Sequence, residues 1–138
     1  MIKQTDYAYI AGILDGEGSI SITNQFYLDV KIRNTNKTVL EWIQNLTPAR
    51  GHIYADKRRV LFCYSLQFSS KQALLLLKPL MPYLKIKKRQ ALLAFKFLQR
   101  LRGQTSGTPL TDNERQKRKI AYHKMKELNQ SKQLYNDA

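Results

Sequence analysis

Residues 9–20 read Tyr-Ile-Ala-Gly-Ile-Leu-Asp-Gly-Glu-Gly-Ser-Ile, and their pattern predicts a helix that ends in two acidic residues, Asp15 and Glu17. Small residues at Ala8, Gly12 and Gly16 are spaced by four, so they lie on one face of that helix. A stripe of small residues lets a second helix approach closely. If this helix packs against its own copy across a two-fold axis, two pairs of carboxylates meet at the centre.

Carboxylates gathered in this way are tolerated when divalent metal ions neutralise them, so the helix end is a candidate metal site. Structural explanations remain open for the same residues. Glycines near the end of a helix are common stop signals, and Asp15 could serve only the turn. Ile10, Ile13 and Leu14 point away from the small-residue stripe, so we expect them to enter the core of the chain.

The hydrophobic pattern predicts the element order α-ββ-α-ββ-α-α, followed by a last helix. The predicted elements are a helix ending near residue 16, strands 19–23 and 27–33, a helix 38–46, strands 52–56 and 60–68, a helix from Ser69 or Ser70 ended by Pro79 and Pro82, a helix from about Lys85 to Arg102, a loop 103–110 and a helix of about 111–129. Two hairpins separated by a helix favour an α+β fold with one four-stranded antiparallel sheet and helices on one of its faces. At 138 residues we expect a single domain, 1–138, with a core of about 5–102.

The other face of the sheet is left to solvent or to a ligand. Its side chains are hydrogen-bonding types suited to base edges and phosphates, although an ordinary hydrated sheet face would have the same composition. The candidates for DNA binding on the first hairpin are Ser19, Ser21, Thr23, Tyr27, Asp29, Lys31 and Arg33. Those further along the chain are Tyr54, Asp56, Lys57, Arg58, Lys85, Lys88 and Arg89.

The charge distribution favours a polyanionic partner. The net charge is +14, and the segment from Lys57 to Thr111 contains twelve basic residues and no acidic one. Nucleic acid is the commonest partner of such a field, although a ribosomal or membrane-surface protein, or one that is only soluble, would also fit.

Cysteine and histidine usage exclude several other kinds of site. Cys63 is the only cysteine, which excludes an internal disulfide and a cysteine-rich zinc site. His52 and His123 have no metal-ligand spacing around them. The sequence shows no signal peptide, and no apolar run is longer than that from Ala73 to Leu77, which is far too short to span a membrane. We therefore expect an intracellular protein, in the cytoplasm or in an organelle matrix or stroma.

The segment Ile10 to Gly18, IAGILDGEG, resembles the motif that gives the LAGLIDADG homing endonucleases their name. The strands that follow it and the predicted order of elements are also those of the family. A single motif in so short a chain resembles the homodimeric members, and the similarity covers residues 5 to about 102 and, more loosely, the C-terminal helix. The resemblance implies a homodimer joined through the first helix, with Ala8, Gly12, Asp15 and Gly16 at the interface.

The resemblance also assigns roles to individual residues. It implies that Glu17 binds the catalytic metal, with the backbone carbonyl of Gly16 as a second ligand, and that Asp15 is structural. The stretch from Tyr83 to Ala91 resembles the one that carries the family's catalytic lysine, which implies Lys87, with Lys85 as the rival. Asn36 matches a polar residue that orders water, but it could equally be a helix cap.

The chain departs from the family pattern at two places. Leu40 stands where homodimeric relatives have a further basic residue, and the first hairpin is short. The resemblance implies Mg²⁺- or Mn²⁺-dependent hydrolysis of both strands of a pseudo-palindromic DNA, with roughly two or three ions per dimer. Three alternatives remain: an intron maturase that binds RNA, a catalytically inactive DNA-binding relative, and a ribosome-associated protein.

Overall fold

The computed structural model describes residues 2–57, 62–100 and 111–130, without the side chains of residues 99 and 100. Its helices are α1 (Gln4–Glu17), α2 (Lys37–Leu46), α3 (Lys71–Leu80), α4 (Lys88–Arg100) and α5 (Asp112–Gln130), and a short 3-10 helix spans Met81–Tyr83. Its strands are β1 (Gly18–Ile22), β2 (Leu28–Asn34), β3 (His52–Asp56) and β4 (Cys63–Ser69). The predicted loop 103–110 and Arg58 lie outside the described residues.

The four strands form one antiparallel sheet in the order β1-β2-β4-β3, so the predicted α+β fold with a four-stranded antiparallel sheet is confirmed. Ile20 pairs with Val30, and Ile32 pairs with Leu66, which places these apolar side chains on one face. That face and the helices enclose the core. Its largest fully buried side chains are Ile10, Leu14, Ile20, Leu28, Ile32, Leu40, Ile43, Leu66, Phe68, Leu76, Leu77 and Leu80.

Alternation along the strands leaves a second face that carries polar side chains. Ser19, Lys31 and Gln67 lie in register across β1, β2 and β4, and His52 continues the row on β3. We call this surface the open sheet face. The β1–β2 hairpin that borders it is tight, because the backbone N–H of Thr23 donates a hydrogen bond to the backbone carbonyl of Tyr27 across the turn.

One predicted helix boundary is confirmed and another is wrong. α3 ends at Leu80, between Pro79 and Pro82, as predicted. The predicted helix start at Lys85 is wrong, because α4 begins at Lys88. The backbone N–H groups of Lys85 and Lys87 donate to the carboxylate of Asp15, which holds residues 85–87 in a bend.

Candidate active site

Glu17 is the last residue of α1, and its carboxylate is exposed. The Nδ2 group of Asn34 donates a hydrogen bond of 2.6 Å to Oε2 of Glu17. The pairing of Gly18 with Ile32 explains the contact, because it brings the end of β2 beside the start of β1. A hydrogen bond to an ionised carboxylate is short and strong, so Asn34 fixes one oxygen of Glu17.

The amide of Asn34 is itself oriented by the chain that follows it. Its Oδ1 accepts the backbone N–H of Asn36 at 2.8 Å, which turns the NH₂ group toward Glu17. Asn36 then uses its own Oδ1 to accept the N–H of Val39 at 3.2 Å and caps α2. The cap is therefore the role that the contacts give to Asn36, and Asn34 is the amide at the carboxylate.

Asp15 is buried, with 6% of its surface exposed, and faces its own chain. Its two carboxylate oxygens accept the backbone N–H groups of Lys85 at 2.8 Å and Lys87 at 3.0 Å. A buried carboxylate needs such donors, since an unpaired charge in the interior is costly. The side chain of Asp15, a residue predicted for the dimer interface, thus faces the 85–87 bend of its own chain.

Lys87 lies at the same end of α1 as Glu17. Its side chain is buried, at 6% exposure, and its Nζ donates a hydrogen bond of 2.6 Å to the backbone carbonyl of Asp15. The last carbonyls of a helix lack intrahelical donors and carry its partial negative charge, so a lysine is stabilised there. By contrast, Lys85, Lys88 and Arg89 are exposed.

The small-residue stripe of α1 is open. Ala8, Gly12 and Gly16 are all exposed, and a Cβ built on either glycine would meet no atom of the described residues within 4 Å. Tyr9 beside the stripe is 58% exposed and packs edge-on against Trp42. Within one chain, packing therefore does not require a glycine at position 12 or 16.

Asp29 is the centre of a network on the open sheet face. Its Oδ1 accepts Nε2 of Gln67 at 2.6 Å and Oγ of Ser69 at 3.4 Å, and Lys31 lies 3.8 Å from its other oxygen. Asp29 is only 6% exposed. The carboxylate of Asp29, a residue predicted to contact DNA, thus organises neighbouring side chains in this structure.

The other predicted contact residues differ in exposure. Thr23 uses its hydroxyl oxygen to accept the N–H of Tyr27 at 3.1 Å, so it serves the turn. The exposed candidates are Ser19, Tyr27, Lys57, Lys85, Lys88 and Arg89, and the half-buried ones are Ser21, Lys31, Arg33, Tyr54 and Asp56. Leu40, which stands where the resemblance implied a basic residue, is fully buried in the core.

A single chain offers few metal ligands. Among residues 2–57, 62–100 and 111–130, no group of three or more His, Cys, Asp or Glu side chains could hold a metal ion. Any ion held at Glu17 would need oxygen ligands from outside this side chain.

The residues that the structure describes include no helix that is long and apolar enough to cross a membrane.

Comparison with solved structures identifies the fold. The structure of the homing endonuclease I-CvuI in complex with its target, in the presence of Ca, aligns with a TM-score of 0.73 over 91% of this chain and 82% of that chain, at 19% identity. This is the homing endonuclease fold. A second I-CvuI complex, with the I-CreI target and Mg, in which the DNA is not cleaved, gives a TM-score of 0.70 at 19% identity, over the same 91% and 82%.

The archaeal intron-encoded homing endonuclease I-Vdi141I, complexed with DNA, aligns with a TM-score of 0.72 at 19% identity, over 90% of this chain and 84% of that chain. No family model matches the sequence, and neither does any curated protein. The neighbours are LAGLIDADG homing endonucleases, in agreement with the resemblance of residues 10–18. At this level of identity the likeness concerns the fold.

Sequence reasoning missed Asn34 and Gln67. The sequence did offer an indication of Asn34. Side chains alternate along a strand, so Asn34 lies on the same side of β2 as Leu28, Val30 and Ile32, toward α1. The contact of Gln67 with Asp29 could not be predicted, because the sequence of either strand alone does not show that β2 pairs with β4.

Proposed function

We propose that this protein is a site-specific endonuclease that binds double-stranded DNA as a homodimer and hydrolyses both strands. The observation that carries the proposal is the arrangement at the end of α1, where an exposed Glu17 and a buried, held Lys87 lie beside an open stripe of small residues. The fold supports it, because I-CvuI and I-Vdi141I share this fold and are bound to DNA in their structures.

The homodimer is supported by the open stripe of α1. An exposed glycine lowers the stability of a helix by about 1 kcal/mol relative to alanine. The reason for two glycines on one exposed face of α1 therefore lies outside the single chain. Close contact with a second α1 supplies that reason. A two-fold axis along this contact brings two copies of Glu17 together.

The residues at the helix end fit a divalent cation. Magnesium is usually held by one or two carboxylates together with water and substrate phosphates. One Glu17 from each subunit would supply a suitable number of carboxylate ligands. Gly16 lies in the last turn of α1, where carbonyl oxygens are free of intrahelical donors, and the negative end of the helix dipole favours a cation. Bound Mg²⁺ or Mn²⁺ would supply Lewis-acid stabilisation and an activated water.

The chain's own residues have distinct tasks in this reaction. Asn34 holds one oxygen of Glu17 and leaves the other available as a ligand. Lys87 places a positive charge at the helix end, where it offsets charge that develops on the attacked phosphate. Exposed basic residues such as Lys57, Lys88 and Arg89 contact phosphates and position the duplex along the open sheet face.

A cleavage-site selection tests the proposal. The purified protein is incubated with a randomised duplex library and Mg²⁺, and cut ends are sequenced. We expect a single family of double-strand cuts with a staggered, pseudo-palindromic pattern, because a two-fold dimer reads two related half-sites. If the library stays uncut at every Mg²⁺ and Mn²⁺ concentration while the protein remains folded, the proposed activity is wrong.

A further inference from the structure

The C-terminal helix α5 lies along the outer edge of β1. Near its end, Nδ2 of Asn129 donates a hydrogen bond of 3.0 Å to the backbone carbonyl of Ile20. Two turns earlier, the ring of Tyr122 meets the ring of Phe26 edge-on, with centroids 6.4 Å apart. The helix is therefore attached to the edge strand and to the turn of the first hairpin.

The turn of this hairpin depends on that attachment. Phe26 has a φ of 68°, in the left-handed region where a bulky side chain is strained and glycine is the usual residue. Its ring packs on Tyr122, so a contact with α5 offsets a conformation that the hairpin alone disfavours. The position of the first hairpin is thus coupled to the position of α5.

Asn129 also contacts α4. Its Oδ1 accepts a hydrogen bond of 3.4 Å from Nε2 of Gln90, a side chain that is only 8% exposed. The side chain of Asn129 therefore connects α5 with two other elements: its Nδ2 donates to β1, and its Oδ1 accepts from α4. Leu128 and Asn129 form one wall of a cavity of about 300 Å³ that is also lined by Gly18, Ser19, Ile86, Lys87 and Gln90.

The two elements that Asn129 connects each begin directly after a residue of the candidate active site. β1 starts at Gly18, next to Glu17, and α4 starts at Lys88, next to Lys87. We propose that Asn129 is a positioning residue that, together with the contacts between Lys87 and Asp15, fixes the separation of Glu17 and Lys87 by holding β1 and α4 together. The proposal rests on the proposed endonuclease function, and it gives α5 a part in the chemistry.

The test compares Asn129→Leu with Asn113→Leu. Both variants exchange an exposed asparagine of α5 for a side chain of similar size, and Asn113 lies at the opposite end of the helix. Two quantities are measured: the single-turnover cleavage rate of a selected duplex at saturating protein with Mg²⁺, and amide hydrogen exchange of the free protein. We expect Asn129→Leu to lower the bound cleavage rate by roughly 10- to 100-fold, the scale of a small misplacement of reacting groups.

Amide exchange keeps the proposal testable without any cleavage. In Asn129→Leu, the amides of β1 and of the first turn of α4 should exchange about fivefold faster than in Asn113→Leu, as expected for the loss of one hydrogen bond. If the wild type cuts no duplex, the proposed function is wrong. The comparison of amide exchange in the two variants then decides alone whether Asn129 holds β1 and α4 together. Equal exchange in both variants, or a wild-type cleavage rate for bound Asn129→Leu, would overturn the role of Asn129.

Discussion

Lys87 and Asp15 form a reciprocal pair, in which the side chain of each residue bonds to the backbone of the other. The Nζ group of Lys87 donates to the backbone carbonyl of Asp15 at 2.6 Å, while the backbone N–H of Lys87 donates to the Asp15 carboxylate at 3.0 Å. The residues are 72 positions apart in sequence, so this contact ties the end of α1 to the bend before α4. The lysine is thereby held in one place in the free protein.

Replacing Lys87 with methionine should slow cleavage rather than binding. Methionine keeps most of the aliphatic stem and removes the charge, so the loss falls on the stabilisation of the attacked phosphate. We expect the single-turnover rate on bound duplex to fall by roughly 10²-fold or more, the scale of one lost electrostatic stabiliser.

The matched control is Arg89→Met, because Arg89 is exposed and lies just beyond the bend. Loss of affinity by Lys87→Met should be no larger than that by Arg89→Met, measured by titration of the same duplex. If Lys87→Met weakens binding but cuts at the normal rate once bound, Lys87 only clamps a phosphate and Lys85 becomes the next residue to examine.

Asp15→Asn should destabilise the free protein. The change keeps the size of the side chain but removes the charge from a buried group that accepts two backbone N–H groups. We expect a loss of about 1.5–3 kcal/mol in the free energy of unfolding, the range for hydrogen bonds to a charged group. The exposed Asp112→Asn should cost no more than about 1 kcal/mol.

Denaturant titrations of both variants at one protein concentration make this comparison, since a dimer's stability depends on concentration. Equal stability of Asp15→Asn and Asp112→Asn would show that the bend at residues 85–87 does not depend on the Asp15 carboxylate.

Much of the fold was readable from local periodicity. The alternation in residues 28–33 predicted β2 and its buried face, and the motif of residues 10–18 predicted the transition from α1 to β1. What could not be read were contacts between distant residues. The start of α4 depends on hydrogen bonds to Asp15, and local propensity in a run of basic residues gives no sign of them.

The site was predictable to a similar extent. The resemblance to the family pointed to Glu17 through the motif of residues 10–18 and to Lys87 through the stretch 83–91, and the fold brings both residues to one helix end. It also pointed to Asn36, whose position in sequence was equally suited to a helix cap, and the contacts give it that cap. Asn129 was out of reach of sequence reasoning, because its partner Ile20 lies 109 positions away.

Gly12→Leu should convert the protein to a monomer without unfolding it. A side chain at position 12 meets open space within one chain, and leucine favours the helix by roughly 0.5–1 kcal/mol over glycine. Across a close helix contact, the same side chain forces the two backbones apart. Analytical ultracentrifugation without DNA should therefore give a dimeric wild type and a folded monomeric variant.

Asn45→Leu adds the same side chain to an exposed position of α2 and should stay dimeric. A monomeric wild type, or a dimer that tolerates Gly12→Leu, would mean that α1 is not the interface.

Binding should weaken steeply with salt. Each phosphate neutralised by a basic side chain contributes about −0.9 to the slope of log affinity against log salt concentration. Lys88→Met should reduce the magnitude of the slope by about that amount, whereas the exposed Lys78→Met, on α3 and outside the basic cluster of residues 85–89, should leave it unchanged. Fluorescence anisotropy of a selected duplex at several KCl concentrations measures both, and a flat dependence for the wild type would exclude phosphate-dominated binding.

The central claim is that Glu17 is the metal-binding carboxylate of a DNA-cleaving site, and Glu17→Gln tests it most directly. Glutamine preserves the size of the side chain but removes the anionic ligand, while Glu41→Gln makes the same change on the exposed surface of α2. The measurement is single-turnover cleavage of a selected duplex with Mg²⁺, alongside binding to the same duplex. We expect Glu17→Gln to bind normally and to lose at least roughly 10²-fold in cleavage, with Glu41→Gln unaffected. Cleavage by Glu17→Gln at a rate near that of the wild type would contradict the central claim.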